Sequence, residues 1–423
     1  MCQDQDLPLR SRFGEGRSVR ETRRLRRTSW RTKPCDVCGE SRRVQELGRR
    51  VLRVPTRGRI FEMRLHDGVC LSCGFLFARR VPPDGFLAEY YRDAHTRDSC
   101  FANLSDDYDR DYRRTVLRAQ LPPPASVLEW GAGTGEFSAL LGDDGYAATP
   151  VDLTGDRGPM MLGSRSRRMR DIGSGPAHDA VLGYFVLEHV PRPRAWLSAA
   201  RRRLRPGGLL VIEVPNFIRH PGMSLTDEHM LHFAPEHLRA LVAGAGFETV
   251  MLDGNHASRF FGMTIVARKL RERTRAKLPA PRERSKLVER TISAYRNHER
   301  GRSAIDARLL AVTRNVLERV GTGPAGAAQV FVWGANEYAT AIGRALAEAG
   351  YAAAVPVDSA RTKIGTAHEG FVHPIAAPDF PRASGRHRIF VLCSKTWNAD
   401  IESSIDRMAL ENVSVIDAVG RDA

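Results

Sequence analysis

The 423-residue chain contains no apolar run of 18 residues, so no membrane-spanning helix is expected. Its opening stretch, MCQDQDLPLRSRFGEGR, has charge but no apolar segment behind it. No secretory leader is expected, and the protein is read as cytoplasmic. Cysteine is scarce. The seven present, at 2, 35, 38, 70, 73, 100 and 393, are odd in number and unevenly spread, which excludes the dense disulfide framework of a small secreted scaffold. Aromatic residues make up only 7%, yet 42% of the chain is hydrophobic and 27% charged, enough apolar material for several cores. A chain of this length is expected to form two or three domains.

Acidic residues are also in short supply, 49 against 65 Lys and Arg, leaving a formal charge of +16. The excess is local: residues 1–33 carry +6 and residues 268–302 carry +9, so the rest is nearly neutral. A nucleic-acid reader would be expected to carry its charge as a stripe on a folded recognition element. Here the charge is read as an Arg-rich disordered tail, residues 1–33, and a basic linker, which argues against a nucleic-acid partner.

Four cysteines form two tight pairs, Cys35-Asp-Val-Cys38-Gly and Cys70-Leu-Ser-Cys73-Gly. A two-residue spacer lets both sulfurs of a pair face one centre, and glycine after the second cysteine suits the turn. Together they predict a closed tetrahedral site for structural Zn2+ in a zinc-ribbon-like module, residues 34–80, with short strands RVQEL, RVLRV and IFEMRLHDGVC between the pairs. A redox pair would need a strand-helix context that is not evident. His66 is read as an ordinary surface histidine. Residues 81–125 read as a helical connector whose Tyr90, Tyr91 and His95 are candidates for lining a site.

In SVLEWGAGTGEFSALL, an apolar strand ending at Glu129 leads through Gly131, Gly133 and Gly135 into a helix from Glu136 to Leu141. Alternating glycines let backbone pass close to a ligand at the carboxyl end of the first strand of a doubly wound sheet. The next strand, ATPVDL, ends in Asp152, whose carboxylate suits the two hydroxyls of a ribose. A nucleoside cofactor is expected. The dinucleotide fingerprint has G-x-G-x-x-G spacing, whereas this loop has G-x-G-x-G.

That loop resembles motif I of the class I S-adenosylmethionine-dependent methyltransferases. HDAVLGYFVLEHVPRP, AWLSAARRRLRPGGLLVIEVPN and FAPEHLRALVAGAGFETV follow in the order of the family's later strands and helices, giving a Rossmann-like methyltransferase domain over residues 126–267. The resemblance implies that Glu129, Gly131, Gly133 and Gly135 line the methionine and ribose side of S-adenosylmethionine. It further implies that Asp152 holds the ribose and that Asp171 meets the adenine amino group. Two histidine-bearing segments belong on the same face, Glu188-His189-Val190-Pro191 and Asp227-Glu228-His229-Met230-Leu231-His232-Phe233.

A third module closes the chain. Within residues 268–325, apolar residues at 305, 309, 312, 316 and 320 predict one face of a docking helix. Residues 326–423 alternate strands and helices around AAQVFVWGANEYATAIGRALAEAG, Asp358, RIFVLCS and ADIESSIDRMAL, and predict a second small Rossmann-like domain. Asn336 and Glu337 are its candidates for touching a nucleotide, and a second redox cofactor is not expected.

Overall an α/β chain is expected, and the order of its three modules resembles zinc-containing nucleotide-sugar C-methyltransferases, which act on nucleotide-linked 4-keto-6-deoxy sugars in antibiotic or glycan synthesis. By that resemblance His229 is the base, Glu228 orients it and His189 assists at the enolate or the substrate. The segment departs from the family at Thr226, where the family carries tyrosine. An O-methyltransferase of a glycan or secondary metabolite therefore stays open beside C-methylation. So does a catalytically inactive binding protein whose Arg-rich segments meet nucleic acid or an acidic partner.

Overall fold

A computed structural model of the chain describes residues 21–24, 31–55, 59–94, 107–133, 135–152, 167–168, 175–225, 229–254, 262–272, 278–321, 328–334, 337–351, 353–359, 364–365, 371–380, 386–394 and 398–419. They divide into two compact units, residues 1–295 and 296–423.

The first unit begins with a six-stranded sheet made of β1 (Glu21–Arg24), β2 (Arg31–Thr32), β3 (Val44–Pro55), β4 (Arg59–Cys70), β5 (Leu76–Val81) and, from far along the chain, β11 (Leu231–His232). β3 and β4 pair antiparallel with a register shift between Glu46 and Gly48. The expected short strands RVQEL and RVLRV are therefore one long strand with a bulge. Period-two alternation turns Met63, Leu65, Asp67 and Val69 inward, which places one carboxylate in an apolar row. β1 pairs parallel with β4 and β2 antiparallel with β5, so the expected disordered tail contributes two strands here, while residues 1–20 lie outside the described residues. His66 is half-buried with Nδ1 3.4 Å from Glu46 Oε1, not an open surface residue.

After α1 (Asp84–Ala94) and α2 (Asp107–Gln120) come β6 (Ser126–Trp130), α3 (Glu136–Asp143), β7 (Ala147–Asp152), β8 (Arg167–Arg168), β9 (His178–Tyr184), a 3-10 turn at Leu187–His189, α4 (Pro193–Arg203), β10 (Leu204–Pro215), α5 (Pro221–Ser224), then β11, α6 (Pro235–Gly244), β12 (Phe247–Asp253) and β13 (Gly262–Lys269). Seven strands form a sheet in the order β12-β13-β10-β9-β6-β7-β8. β10, β9, β6, β7 and β8 run parallel, and β13 lies antiparallel between β10 and β12. The central strands are apolar on both faces, as a parallel sheet covered by helices requires: Val127, Leu128, Val181, Leu182, Leu210 and Ile212 are all buried. This is a mixed α/β, Rossmann-like fold.

The segment expected as a basic linker is mostly helix. α7 (Pro281–Gly321) is one continuous helix of 41 residues whose range includes the boundary between the units. In the first unit Leu287, Thr291 and Tyr295 are its buried residues, four apart on one face. A Cβ on Gly74 would stand 2.9 Å from the Leu287 backbone, so this helix lies against the second cysteine turn.

The second unit holds a four-stranded parallel sheet in the order β15-β14-β16-β17, from β14 (Ala328–Trp333), β15 (Val355–Val357), β16 (His387–Leu392) and β17 (Val413–Asp417), with α8 (Glu337–Glu348) and α9 (Asn398–Arg407) between strands. Leu309, Val312 and Val316 of α7 are buried in its core with Ile305 and Val320 packed alongside, the apolar face read from the sequence. No helix among the described residues is long and apolar enough to cross a membrane.

Candidate active site

The loop between β6 and α3 carries Gly131, Gly133 and Gly135 at φ 84°, 54° and 79°, values that side-chain-bearing residues rarely adopt. Two backbone bonds from Gly131 and Ala132 to the Val151 carbonyl, 2.8 and 3.1 Å, lash the loop to β7. Asp152, at the end of that strand, accepts the Gly133 N–H at 2.9 Å. The glycines differ in what they face. A Cβ on Gly131 would stand 2.3 Å from Val186 Cγ2, whereas one on Gly133 would meet nothing within 4 Å. Backbone with open space above it at a strand's carboxyl end is a cradle that a side chain would fill, and it fits the nucleoside cofactor expected from the sequence.

Beneath the loop, Glu129 is buried and accepts Ser138 Oγ at 2.5 Å. Burial pushes its carboxyl up to about 7, against the Ser138 bond and the Arg113 charge, which pull it down. Arg113 donates to buried Glu213 Oε2 at 2.7 Å and lies over the Tyr184 ring at 4.6 Å. Phe185, next to Tyr184 at the end of β9, has φ 53°, a strained non-glycine backbone at a site-forming turn.

The turn after β9 continues through Val186 to His189, and the structure brings His189 beside His229. Their ring centres are 4.6 Å apart at 76°. Glu188 is fully buried, with Oε1 4.0 Å from His189 Nε2. His229 Nδ1 lies 3.1 Å from the Ser224 carbonyl, a distance at which the ring N–H donates and the opposite edge, Nε2, turns away from Ser224. The Met230 N–H donates to the Glu188 carbonyl at 2.8 Å, so the two histidine segments are pinned to each other through the backbone. Tyr91 presents its edge to His189 at 6.3 Å, while Tyr90 is core.

The cysteine module holds this segment in place. Arg50 binds Asp67 through two bonds of 2.7 and 2.9 Å, and the same guanidinium donates to the carbonyls of Leu225 at 3.2 Å and His229 at 2.7 Å. Burial alone would raise Asp67, but the Arg50 charge overrides it and holds the carboxyl well below its ordinary range. His232, the second imidazole of the segment, is fully enclosed between Ser224 Oγ at 3.1 Å and Arg50 at 3.2 Å, and burial pulls its pKa below the ordinary imidazole value against the Asp67 contact. It serves structure. β11 completes the tie by pairing with β5.

Cys35, Cys38, Cys70 and Cys73 bring their sulfurs within 4.8 Å of one another. The Cys35–Cys73 and Cys38–Cys70 separations are 3.6 and 3.5 Å. A tetrahedral ion with Zn–S distances of about 2.3 Å needs sulfurs about 3.8 Å apart, so the set fits such an ion. His237 meets the Cys73 carbonyl at 2.9 Å, tying α6 to the second cysteine turn.

Asp171, Glu228, His95 and Asn336 lie outside the described residues, and Glu337 opens α8. Arg50, Asp67, Arg113, Glu213 and Ser224 were not anticipated from the sequence. Asp67 had a usable signal, a charge at an inward position of an alternating strand.

Residues 104–252 match the family model described as "Methyltransferase domain". The middle of the chain is therefore similar to a methyltransferase domain. A ubiquinone biosynthesis O-methyltransferase of Cereibacter sphaeroides is 34% identical over 125 residues, 27% of this chain and 49% of that protein. A demethylmenaquinone methyltransferase of Beutenbergia cavernae is 37% identical over 119 residues, 26% of this chain and 49% of that protein. An uncharacterized 37.1 kDa protein in transposon TN4556 of Streptomyces fradiae is 27% identical over 242 residues, 51% of this chain and 65% of that protein. The chain thus spans about half the length of the curated methyltransferases it matches. Among solved structures, 1,6-didemethyltoxoflavin-N1-methyltransferase of Burkholderia thailandensis, bound to S-adenosylhomocysteine, is similar at 22% identity and a TM-score of 0.35, covering 46% of this chain and 96% of that one.

Proposed function

We propose that the protein methylates carbon next to a carbonyl, with a nucleotide-linked 4-keto-6-deoxy sugar as the acceptor. The observation that carries this reading is the His189–His229 pair, with ring centres 4.6 Å apart: His189 is on the turn that follows Val186, the residue packed against Gly131, and His229 lies just before β11. Gly131, Gly133, Gly135, Glu129 and Asp152 would hold S-adenosylmethionine, with Asp171 toward the adenine. When bound, that cofactor supplies the methyl group from its sulfonium.

Carbon becomes a nucleophile only after it loses a proton beside a carbonyl, which requires a base and a partner for the enolate oxygen. His229 takes that proton, its ring aimed by the Ser224 carbonyl and, in the sequence-based reading, by Glu228. His189 donates a hydrogen bond to the oxygen that gains charge. S-adenosylmethionine held by Glu129, the glycine loop and Asp152 would supply the methyl group to that carbon. Two imidazoles of different exposure, His229 buried and His189 half-buried, support this division of roles. The four cysteines hold a structural Zn2+ that keeps β4, β5 and the Arg50–Asp67 pair in register.

Calorimetric titration with S-adenosylmethionine, with Asp152→Ala as control, tests the cofactor site. Nuclear magnetic resonance of a nucleotide 4-keto sugar in deuterated water then tests the chemistry. Exchange of the proton next to the ketone, lost in His229→Ala, is the expected result. Methylation of a hydroxyl without such exchange would favour oxygen-directed transfer, the reading supported by the O-methyltransferase among the relatives.

A further inference from the structure

We propose that Glu188, His189 and His229 form a second cation site, one for a divalent transition metal and separate in chemistry from the four cysteines. One ligand atom from each of the three residues lies within 4.8 Å of the other two. An ion held at about 2.1 Å from nitrogen and carboxylate oxygen needs donors roughly 3.0–3.4 Å apart. Small side-chain rotations, on the order of 1 Å at the donor atoms, close the set. Two imidazoles and one carboxylate suit zinc, cobalt, nickel or ferrous iron rather than magnesium or calcium, which prefer all-oxygen shells. Three protein ligands leave a coordination position for a substrate oxygen or water.

The surroundings are arranged as those of a ligand set. The Ser224 carbonyl takes the Nδ1 side of His229, the outer contact that fixes tautomer and ring direction in metal-bound histidines. The Glu188 carbonyl takes the Met230 N–H, so the segments bearing the ligands are fixed to each other by main chain rather than by long side chains. Arg50, bound to the His229 carbonyl, fixes the segment from the other side. Glu188 and His229 are buried and His189 is half-buried, so ions would reach the site from the His189 side.

The cation and a proton compete for the same imidazole edge of His229. Filling the site therefore suppresses proton abstraction, and a chelator restores it. That consequence rests on the proposed function; the binding does not.

The test uses the full chain, stripped of metal under reducing conditions and titrated with Co2+, with absorption and elemental analysis as readouts. Two cobalt ions per chain are expected. One gives the intense thiolate-to-cobalt charge-transfer band, and the other only weak visible bands. His189→Ala and Glu188→Gln are each expected to weaken the second ion at least about tenfold and to leave the thiolate band unchanged. The thiolate band also reports that each variant has folded. One cobalt per chain, or a second ion retained at full affinity by both variants, would overturn the proposal. Two ions in a chain that shows no proton exchange even after the second ion is chelated away would support the cation site and remove the proposed function.

Discussion

Arg50 and Asp67 form a buried ion pair with bonds of 2.7 and 2.9 Å, and through that pair the cysteine-bearing sheet grips the carbonyl of His229, 179 residues away in sequence. Neither charge is a surface ornament. Asp67 fills an inward position between Leu65 and Val69, and Arg50 is 5% exposed. Breaking a buried pair from one side leaves the other charge stranded, at a cost of about 3–5 kcal/mol. Arg50→Met is expected to lower unfolding stability by that order and to reduce turnover with little change in cofactor affinity. Replacing both partners with Met and Leu should recover part of the stability and none of the turnover, because the hold on the His229 carbonyl is still absent. Denaturant titrations beside initial rates measure the two effects.

His229→Ala is expected to abolish methyl transfer while calorimetric affinity for S-adenosylmethionine stays within about twofold, since the proposed function gives that imidazole to the acceptor. A variant that keeps its rate would remove His229 from the base role. His189→Ala should lower the rate by about 10^2-fold or more, the range for a group that acts on one developing charge.

The two glycines of the loop should separate folding from binding. Gly131→Ala drives a methyl into Val186 at 2.3 Å and also strains φ 84°, so a fall in melting temperature is expected. Gly133→Ala carries only the left-handed penalty of about 1–2 kcal/mol and projects its methyl into open space. That variant should fold and lose cofactor affinity. Melting curves with and without ligand distinguish them.

Glu129 makes stability depend on pH in a defined direction. Its folded carboxyl titrates at about 7 against an ordinary 4.5, so between these values the folded chain holds a proton that the unfolded chain has released. Stability from this group is complete below pH 4.5 and is lost as pH rises through about 7. The loss amounts to roughly 3 kcal/mol. Glu129→Gln keeps the Ser138 contact and should flatten that slope in the ligand-free protein, which urea titrations from pH 5 to pH 8 would reveal.

With Zn2+ on the four cysteines as proposed, a chelator and reductant should loosen β4, β5 and the His229 segment together. Near-ultraviolet circular dichroism and turnover should fall in parallel and return with added Zn2+. Retained turnover in a metal-free chain would separate the cysteine module from the active site.

Local features were readable in the sequence and distant ones were not. Gly131, Gly133, Gly135 and Asp152 lie within 22 residues and follow from chain geometry at a strand end. Each cysteine pair is likewise local. The meeting of His189 with His229 needed the family resemblance, since neither motif specifies the other. The Arg50–Asp67 hold on the His229 segment joins distant strands and has no local signature beyond one inward carboxylate. Residues 281–302 read as linker from sequence because their charge outweighs the stripe Leu287, Thr291 and Tyr295. That stripe is narrow because the rest of the helix there is polar.

The pairing of β11 with β5 also has a consequence for biosynthesis. Leu76 and Phe77 leave the ribosome some 150 residues before Leu231 and His232, their partners. Until those arrive, the Leu76–Ala78 part of the outer edge of β5, beyond the reach of β2, lacks its partner beside three phenylalanines, Phe75, Phe77 and Phe86. Such an edge invites pairing with other nascent chains. Truncation before residue 231 should therefore give aggregates instead of a free amino-terminal domain, and the nascent chain is a natural client for chaperones that shield strands.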